Sequence, residues 1–154
     1  MSALCRAIVL IIVAVSAAAG QSSLLSGSWR LNIEKSTWGT RPKPASVTLI
    51  IEHKDPQLNY SGVVIYTGED ARPFGFSGAI DGKAYPMDRS FGSGTVTVRR
   101  IDPLTIESVF RTEDGNSIET TRTSLTARGK TLTRRIKLQS SGAVFTSVEV
   151  YDRQ

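Results

Sequence analysis

The sequence is poor in the residues that carry most protein chemistry. Its 154 residues include one cysteine, Cys5, and one histidine, His53. A lone cysteine excludes an intramolecular disulfide. Cys5 lies in the N-terminal segment read below as a signal, so with no other cysteine and a single histidine neither a Cys-His nucleophilic pair nor a clustered soft-metal site can be built. Aromatic residues make up 7% of the chain. The basic segments from Thr95 onward hold few of them, which argues against the stacking platforms of single-strand nucleic-acid binders. No Gly-x-Ser-x-Gly elbow opens a helical pattern. Gly92-Ser93-Gly94 lacks the lysine and helix of a phosphate loop and reads as a flexible turn. Long apolar runs are missing except one, Ala7 to Val15, which follows Arg6 and leads into Ser16-Ala17-Ala18-Ala19. These are the basic, apolar and small-residue regions of a secretory signal peptide, assigned to residues 1–19. The run is too short for a membrane span, so export to the periplasm or beyond is expected, with no integral membrane segment. Cys5 precedes the run and leaves with the signal, so it is no lipid-attachment site.

What is abundant points to strands. Residues 20–154, a single domain by length, hold 15 Thr and 18 Val plus Ile but only 6 Ala. Side chains stiff at the first torsion suit a pleated surface, whereas a helical domain leans on Ala and Leu. Turn chemistry recurs at Lys54-Asp55-Pro56, Asp81-Gly82, Asp102-Pro103, Asp114-Gly115, Arg128-Gly129 and Ser141-Gly142. Between these marks lie alternating runs, among them 47–53, 58–66, 95–101, 104–111, 118–127, 131–139 and 143–151. The reading is an all-β, antiparallel up-and-down meander of about eight to ten strands. The stretch 39–45, with Pro42 and Pro44, reads as an extended loop between the first two strands.

The turns also predict register. A two-residue Asp114-Gly115 turn pairs Arg111 with Ile118, and one at Arg128-Gly129 pairs Leu125 with Leu132 and Thr123 with Arg134. Both put Leu104, Ile106, Ser108 and Phe110 on one face with Leu132, Arg134, Ile136 and Leu138. A three-residue loop over 102–104 adds Val96, Val98 and Arg100 to that face. For the last hairpin, a two-residue loop turns Phe145, Glu149 and Tyr151 inward, and a three-residue loop turns Val144, Val148 and Val150 inward. So many strands must close into a barrel or stack as a solid sandwich, and local signals do not separate the two.

Two short motifs carry a resemblance. Gly27-x-Trp29-x-Leu31-Asn32-x-x-Lys35-Ser36 opens the domain, and Val148-Glu149-Val150-Tyr151-Asp152-Arg153 closes it. Together they resemble the calycin superfamily, the lipocalins and fatty-acid-binding proteins, and within it small exported bacterial lipocalin-like proteins. The resemblance implies a barrel over residues 20–154. It also implies that Trp29 closes the base under an arginine from a late strand, with Arg134 or Arg135 as the candidates. Fatty-acid-binding proteins carry Arg-x-Tyr on the last strand to grip a carboxylate. Here the matching residues are Glu149-Val150-Tyr151, so the tyrosine is kept and the arginine is replaced by an acid. Glu149 then falls opposite Arg134 in the two-residue-loop register.

The remaining charged residues give no catalytic pair. His53 reads as an exposed strand-end residue beside Lys54 and Asp55. Glu107 and Glu119 fall on opposite faces of neighbouring strands; Glu119 and Glu149 have a claim to the inner face, Glu119 otherwise reading as a strand-end acid, and Glu69 and Asp70 share a loop. Two carboxylates facing one substrate, as glycoside hydrolysis needs, are therefore not found. The reading is a non-enzymatic protein without metal or cofactor. Residues 20–154 hold 18 basic residues, 12 of them arginine, against 14 acidic ones. The expected ligand is a small apolar or amphipathic molecule inside the barrel. Its wall is drawn from Tyr60, Phe76, Val98, Phe110, Ile136 and Tyr151, with Arg100 and Arg134 as polar anchors; Phe74, Tyr85 and Met87 lie nearby. The rival reading is a solid β domain whose basic outer surface meets an envelope protein or anionic polymer. Nucleic acid is not an expected partner, and peripheral contact with anionic envelope components is.

Overall fold

The computed structural model describes residues 24–154; the expected signal segment, with Cys5, lies outside them. Ten strands follow one another: β1 (Gly27–Leu31), β2 (Ser46–Lys54), β3 (Gln57–Ile65), β4 (Arg72–Ala79), β5 (Ala84–Arg89), β6 (Gly92–Asp102), β7 (Thr105–Thr112), β8 (Ser117–Leu125), β9 (Thr131–Ser140) and β10 (Ala143–Arg153). They form one antiparallel sheet in the order β4-β3-β2-β1-β10-β9-β8-β7-β6-β5. The sheet curls into a nearly closed barrel. Closure comes from pairing the first strand with the last, Trp29 opposite Arg153 and Leu31 opposite Tyr151.

Alternation does the sorting. In β2, Val47, Leu49, Ile51 and His53 are buried, while Thr48, Ile50, Glu52 and Lys54 face water. The inward residues of β1, β2, β6, β7 and β9, with Trp29, Val98, Phe110 and Leu132 among them, merge into one core. His53 belongs to this inward row, so the expectation of an exposed histidine is corrected: its side chain is 1% exposed. Its backbone N–H donates to Ser26 Oγ at 2.9 Å, and that hydroxyl donates back to the His53 carbonyl at 3.1 Å.

The predicted registers hold at two hairpins, and the structure chooses between the two registers left open at a third. Arg111 faces Ile118, Leu125 faces Leu132, and Thr123 faces Arg134. The last hairpin takes the two-residue Ser141-Gly142 loop, which sets Glu149 opposite Arg134 and Tyr151 opposite Leu132. Ser141 accepts a left-handed φ of 48° there, beside Gly142 at 79°. Three local readings are corrected. Pairing Asp102 with Thr105 leaves a two-residue loop, with a bulge between Arg100 and Asp102 instead of the longer turn. Gly92-Ser93-Gly94 opens β6 rather than forming a turn: the three residues pair with Arg89, Asp88 and Met87 of β5, and at Gly94 a Cβ would collide with the Arg111 carbonyl. Finally, Asp81-Gly82 does not join a hydrogen-bonded hairpin. Strands β4 and β5 are the two free edges of the sheet. Each carries a proline, Pro73 and Pro86, a residue confined to edges because it lacks an N–H. The seam is spanned by side chains instead, the Phe76 and Tyr85 rings meeting edge-on at 6.0 Å.

The base and mouth of the barrel are finished by loops. Trp29 is 1% exposed and donates from Nε1 to the Leu25 carbonyl at 3.2 Å. The arginine over its ring is Arg153, at 4.2 Å from the centroid, and not Arg134 or Arg135. Both of those sit on β9, whereas β10 is the strand beside β1. The loop from 32 to 45 is tied to β10 by a bridge between Thr37 and Val148.

Candidate functional site

Inside the barrel an apolar chamber and a polar mouth meet. The chamber is walled by Leu49, Ile51, Leu58, Tyr60, Phe74, Phe76, Val96, Val98, Ile106 and Leu132 and holds about 50 Å³ of solvent-sized space. Tyr60 stacks at a tilt on Phe76, 5.6 Å between centroids, and meets Phe74 at 6.4 Å. The mouth is wider, about 400 Å³, and is lined by Arg41, Tyr66, Arg72, Arg89, Glu119, Arg134, Glu149 and Tyr151 among others. Phe74, Arg89 and Arg134 border both spaces.

Two buried ion pairs organise this boundary. Arg134 Nη1 donates to Glu149 Oε2 at 2.9 Å, and the Tyr151 hydroxyl donates to the same oxygen at 2.9 Å. Across the mouth, Arg89 Nη2 donates to Glu119 Oε1 at 2.7 Å. Arg89 also lies over the Phe110 ring at 5.9 Å. Arg41, from the loop after β1, reaches in to donate to Ser147 Oγ at 3.0 Å. Burial, the largest single influence, would lower the pKa of Arg134, but Glu149 together with Tyr151, Tyr60 and Glu119 outweighs it and holds the guanidinium above its ordinary value. Tyr151 is raised, first by burial and then by Glu149, so it stays a hydroxyl donor at neutral pH. Arg89 Nε, like Trp38 Nε1 and Thr121 Oγ1, is buried and meets no acceptor among the described residues, and of the three it belongs to a residue that borders both spaces.

The expected site residues divide into three groups. Tyr60, Phe76, Val98 and Arg134 line the apolar chamber, and Tyr151 lines the mouth with Arg134. Phe110 and Ile136 are buried, 1% and 5% exposed, but they pack within the wall and border neither space. Arg100 is corrected as an interior anchor. Next to the bulge it leaves the barrel end and pairs with Asp55 at 2.7 Å, holding that carboxyl below its ordinary value.

Sequence reasoning missed Arg89 and Arg41; it gave Glu119 a claim to the inner face, beside a strand-end reading, but no partner. The structure makes Glu119 the 4% exposed partner of Arg89. A signal for Arg89 existed, since Tyr85 and Met87 face inward and the alternation continues to it. Nothing in the sequence marks Arg41, which a long loop delivers. Among the described residues no cluster of three or more His, Cys, Asp or Glu could hold a metal.

An antiparallel ten-stranded meander, paired first strand to last around an interior cavity, makes a nearly closed up-and-down barrel. Solved structures of that fold are similar to this one. A Schistosoma mansoni fatty acid binding protein in complex with arachidonic acid superposes with a TM-score of 0.57 at 10% identity, over 88% of this chain and 99% of that one. As-p18, an extracellular fatty acid binding protein, superposes with a TM-score of 0.55 at 12% identity, over 87% of this chain and 99% of its own. No protein-family model matches the sequence, and no curated protein matches it significantly.

Proposed function

We propose that this is an exported, non-enzymatic binding protein for a small amphipathic molecule, carried with its apolar part in the chamber and its polar part at the mouth. The observation that carries the reading is the Arg89 Nε–H, a buried donor without an acceptor at the line where apolar wall becomes charged mouth. A buried unpaired donor costs about 1–3 kcal/mol, which an acceptor on a ligand would recover. The two fatty-acid-binding neighbours of the same fold support an apolar-tailed ligand. The apolar chamber, about 50 Å³, has to widen for a tail. Phe74 and Phe76 stand on β4, beside the seam where no ladder of hydrogen bonds fixes the wall.

The ligand grip differs from a free Arg-x-Tyr pair. Glu149 already neutralises Arg134 and Glu119 neutralises Arg89, which leaves the buried Arg89 Nε–H as the spare donor of the two pairs. The test is native mass spectrometry of the mature protein purified mildly from an exporting host. A discrete added mass released by organic solvent is expected, and it should be lost or reduced in an Arg89→Met/Glu119→Gln variant that keeps the site neutral. Losing a charged hydrogen bond predicts affinity for the released molecule at least about tenfold weaker in that variant. A protein that stays bare, and gains no mass from offered acyl or aromatic amphiphiles, would sink the reading.

A further inference from the structure

We propose that the outer face of β6 to β9 is a docking surface for an acidic polysaccharide, separate from the barrel interior. Alternation turns Arg99, Glu107, Arg111, Arg122, Arg135 and Lys137 outward on these four strands. Strand pairing sets Arg99 beside Glu107, Glu107 beside Arg122, and Arg122 beside Arg135, in one row across the face. With strands about 4.8 Å apart, the row runs on the order of 14 Å. Arg99 and Arg122 share Glu107, yet their side chains remain 66% and 61% exposed.

Charge bookkeeping isolates this face. Its five cations and one carboxylate leave a surplus of four. The 18 basic and 14 acidic residues of the chain from residue 24 onward leave the same surplus, so the rest of the barrel is balanced. Within the row Arg122 stands directly opposite Arg135, an arrangement that destabilises a sheet unless an anion lies between or over the pair. Arg111, Arg135 and Lys137 have no ion-pair partner among the described residues.

The surroundings favour a sugar polymer over other polyanions. Thr97, Thr120 and Thr133 are outward neighbours of the basic row and present hydroxyls. No aromatic side chain faces outward on β6 to β9, so bases have nothing to stack on. The barrel wall is convex and carries no aromatic or leucine anchor there, so a flat bilayer would meet few of the charges and bury no apolar wedge. A flexible linear polyanion can follow the row around the curve.

The test uses the mature exported protein and two defined probes, dextran sulfate and alginate, followed by calorimetric titration at several salt concentrations. Binding is expected to weaken steeply with salt, as counterion release requires. Arg135→Glu/Lys137→Glu should weaken it at least about tenfold at low salt, whereas Lys43→Glu/Lys130→Glu, an equal change of net charge off this face, should change it less than about twofold. Thermal unfolding of both variants confirms that they fold. Absence of binding by the unaltered protein, or an equal loss in the control variant, overturns the proposal. Tighter binding to phosphatidylglycerol vesicles or to single-stranded DNA through Arg135 and Lys137 also overturns it, in favour of a membrane or nucleic-acid surface. Retention of the interior ligand by Arg135→Glu/Lys137→Glu keeps this outcome distinct from that of the interior site.

Discussion

At the residue scale, the interior arginines are held by partners that cannot be removed singly. Arg134 and Glu149 have side chains only 17% and 11% exposed. Breaking a buried pair leaves one charge uncompensated, so Arg134→Gln is expected to destabilise the protein by about 3 kcal/mol, while Arg134→Gln/Glu149→Gln recovers most of that loss. Urea unfolding of the two variants beside the parent protein measures both. Glu107, on the outer face, is a carboxylate with a pH signature. Hydrogen bonds from Arg122 and then Arg99 hold its pKa below the usual 4.5. Its folded value lies under its unfolded one, so its stabilisation is complete above the unfolded value and is lost as pH falls through the folded one. The stability difference between the parent and Glu107→Gln is therefore expected to be flat above about pH 5.5 and to shrink through the acid range, as thermal melts across pH would register. The Arg134–Glu149 pair was legible in the sequence only as one of the two registers the Ser141-Gly142 turn allowed, and the structure selects it. Arg89 and Arg153 were not, since each acts across a boundary that no local turn defines.

At the scale of the element, the strands were read within a few residues because alternation and turn residues are local signals. The failures cluster where an irregularity breaks the period. The register shifts between Arg100 and Asp102, and Arg100, the last residue before the shift, reaches Asp55 at the barrel end instead of the interior. At β4 and β5 the turn chemistry of Asp81-Gly82 suggested a hairpin, but the strands part there. Their facing edges lack ladder hydrogen bonds, so their free amides are expected to exchange with deuterium orders of magnitude faster than those within β7 to β9. Hydrogen exchange read by mass spectrometry tests this, and equal protection of all strands would contradict an open seam. Gly78 belongs to the same element. A Cβ there would meet Phe76 Cζ at 2.5 Å and Tyr85 Cγ at 2.9 Å. Gly78→Ala should therefore push apart the ring contact across the seam and raise exchange in β4 and β5 selectively.

At the scale of the whole molecule, the barrel depends on its own last residues. Asp152 accepts from Asn32 Nδ2 at 2.7 Å, Arg153 caps Trp29 and donates to backbone carbonyls of Leu24, Ser26 and Gly129, and the Gln154 N–H donates to the Ser28 carbonyl at 2.9 Å. Deleting residues 152–154 is expected to cost about 3 kcal/mol or more, far above the effect of trimming a frayed terminus, with the Trp29 emission shifted by exposure to water. Composition and turn spacing determined by themselves that the chain is an all-β meander with a basic surplus, because strand propensity, alternation and tight turns act over a few neighbouring residues. Only the tertiary structure decided that the meander closes β1 onto β10 and stays open between β4 and β5. It alone decided that Arg153 rather than Arg134 covers Trp29, and that Arg89 shares the mouth with Arg134. Those outcomes rest on contacts between residues distant in sequence, where the curvature of the whole sheet sets which side chains meet.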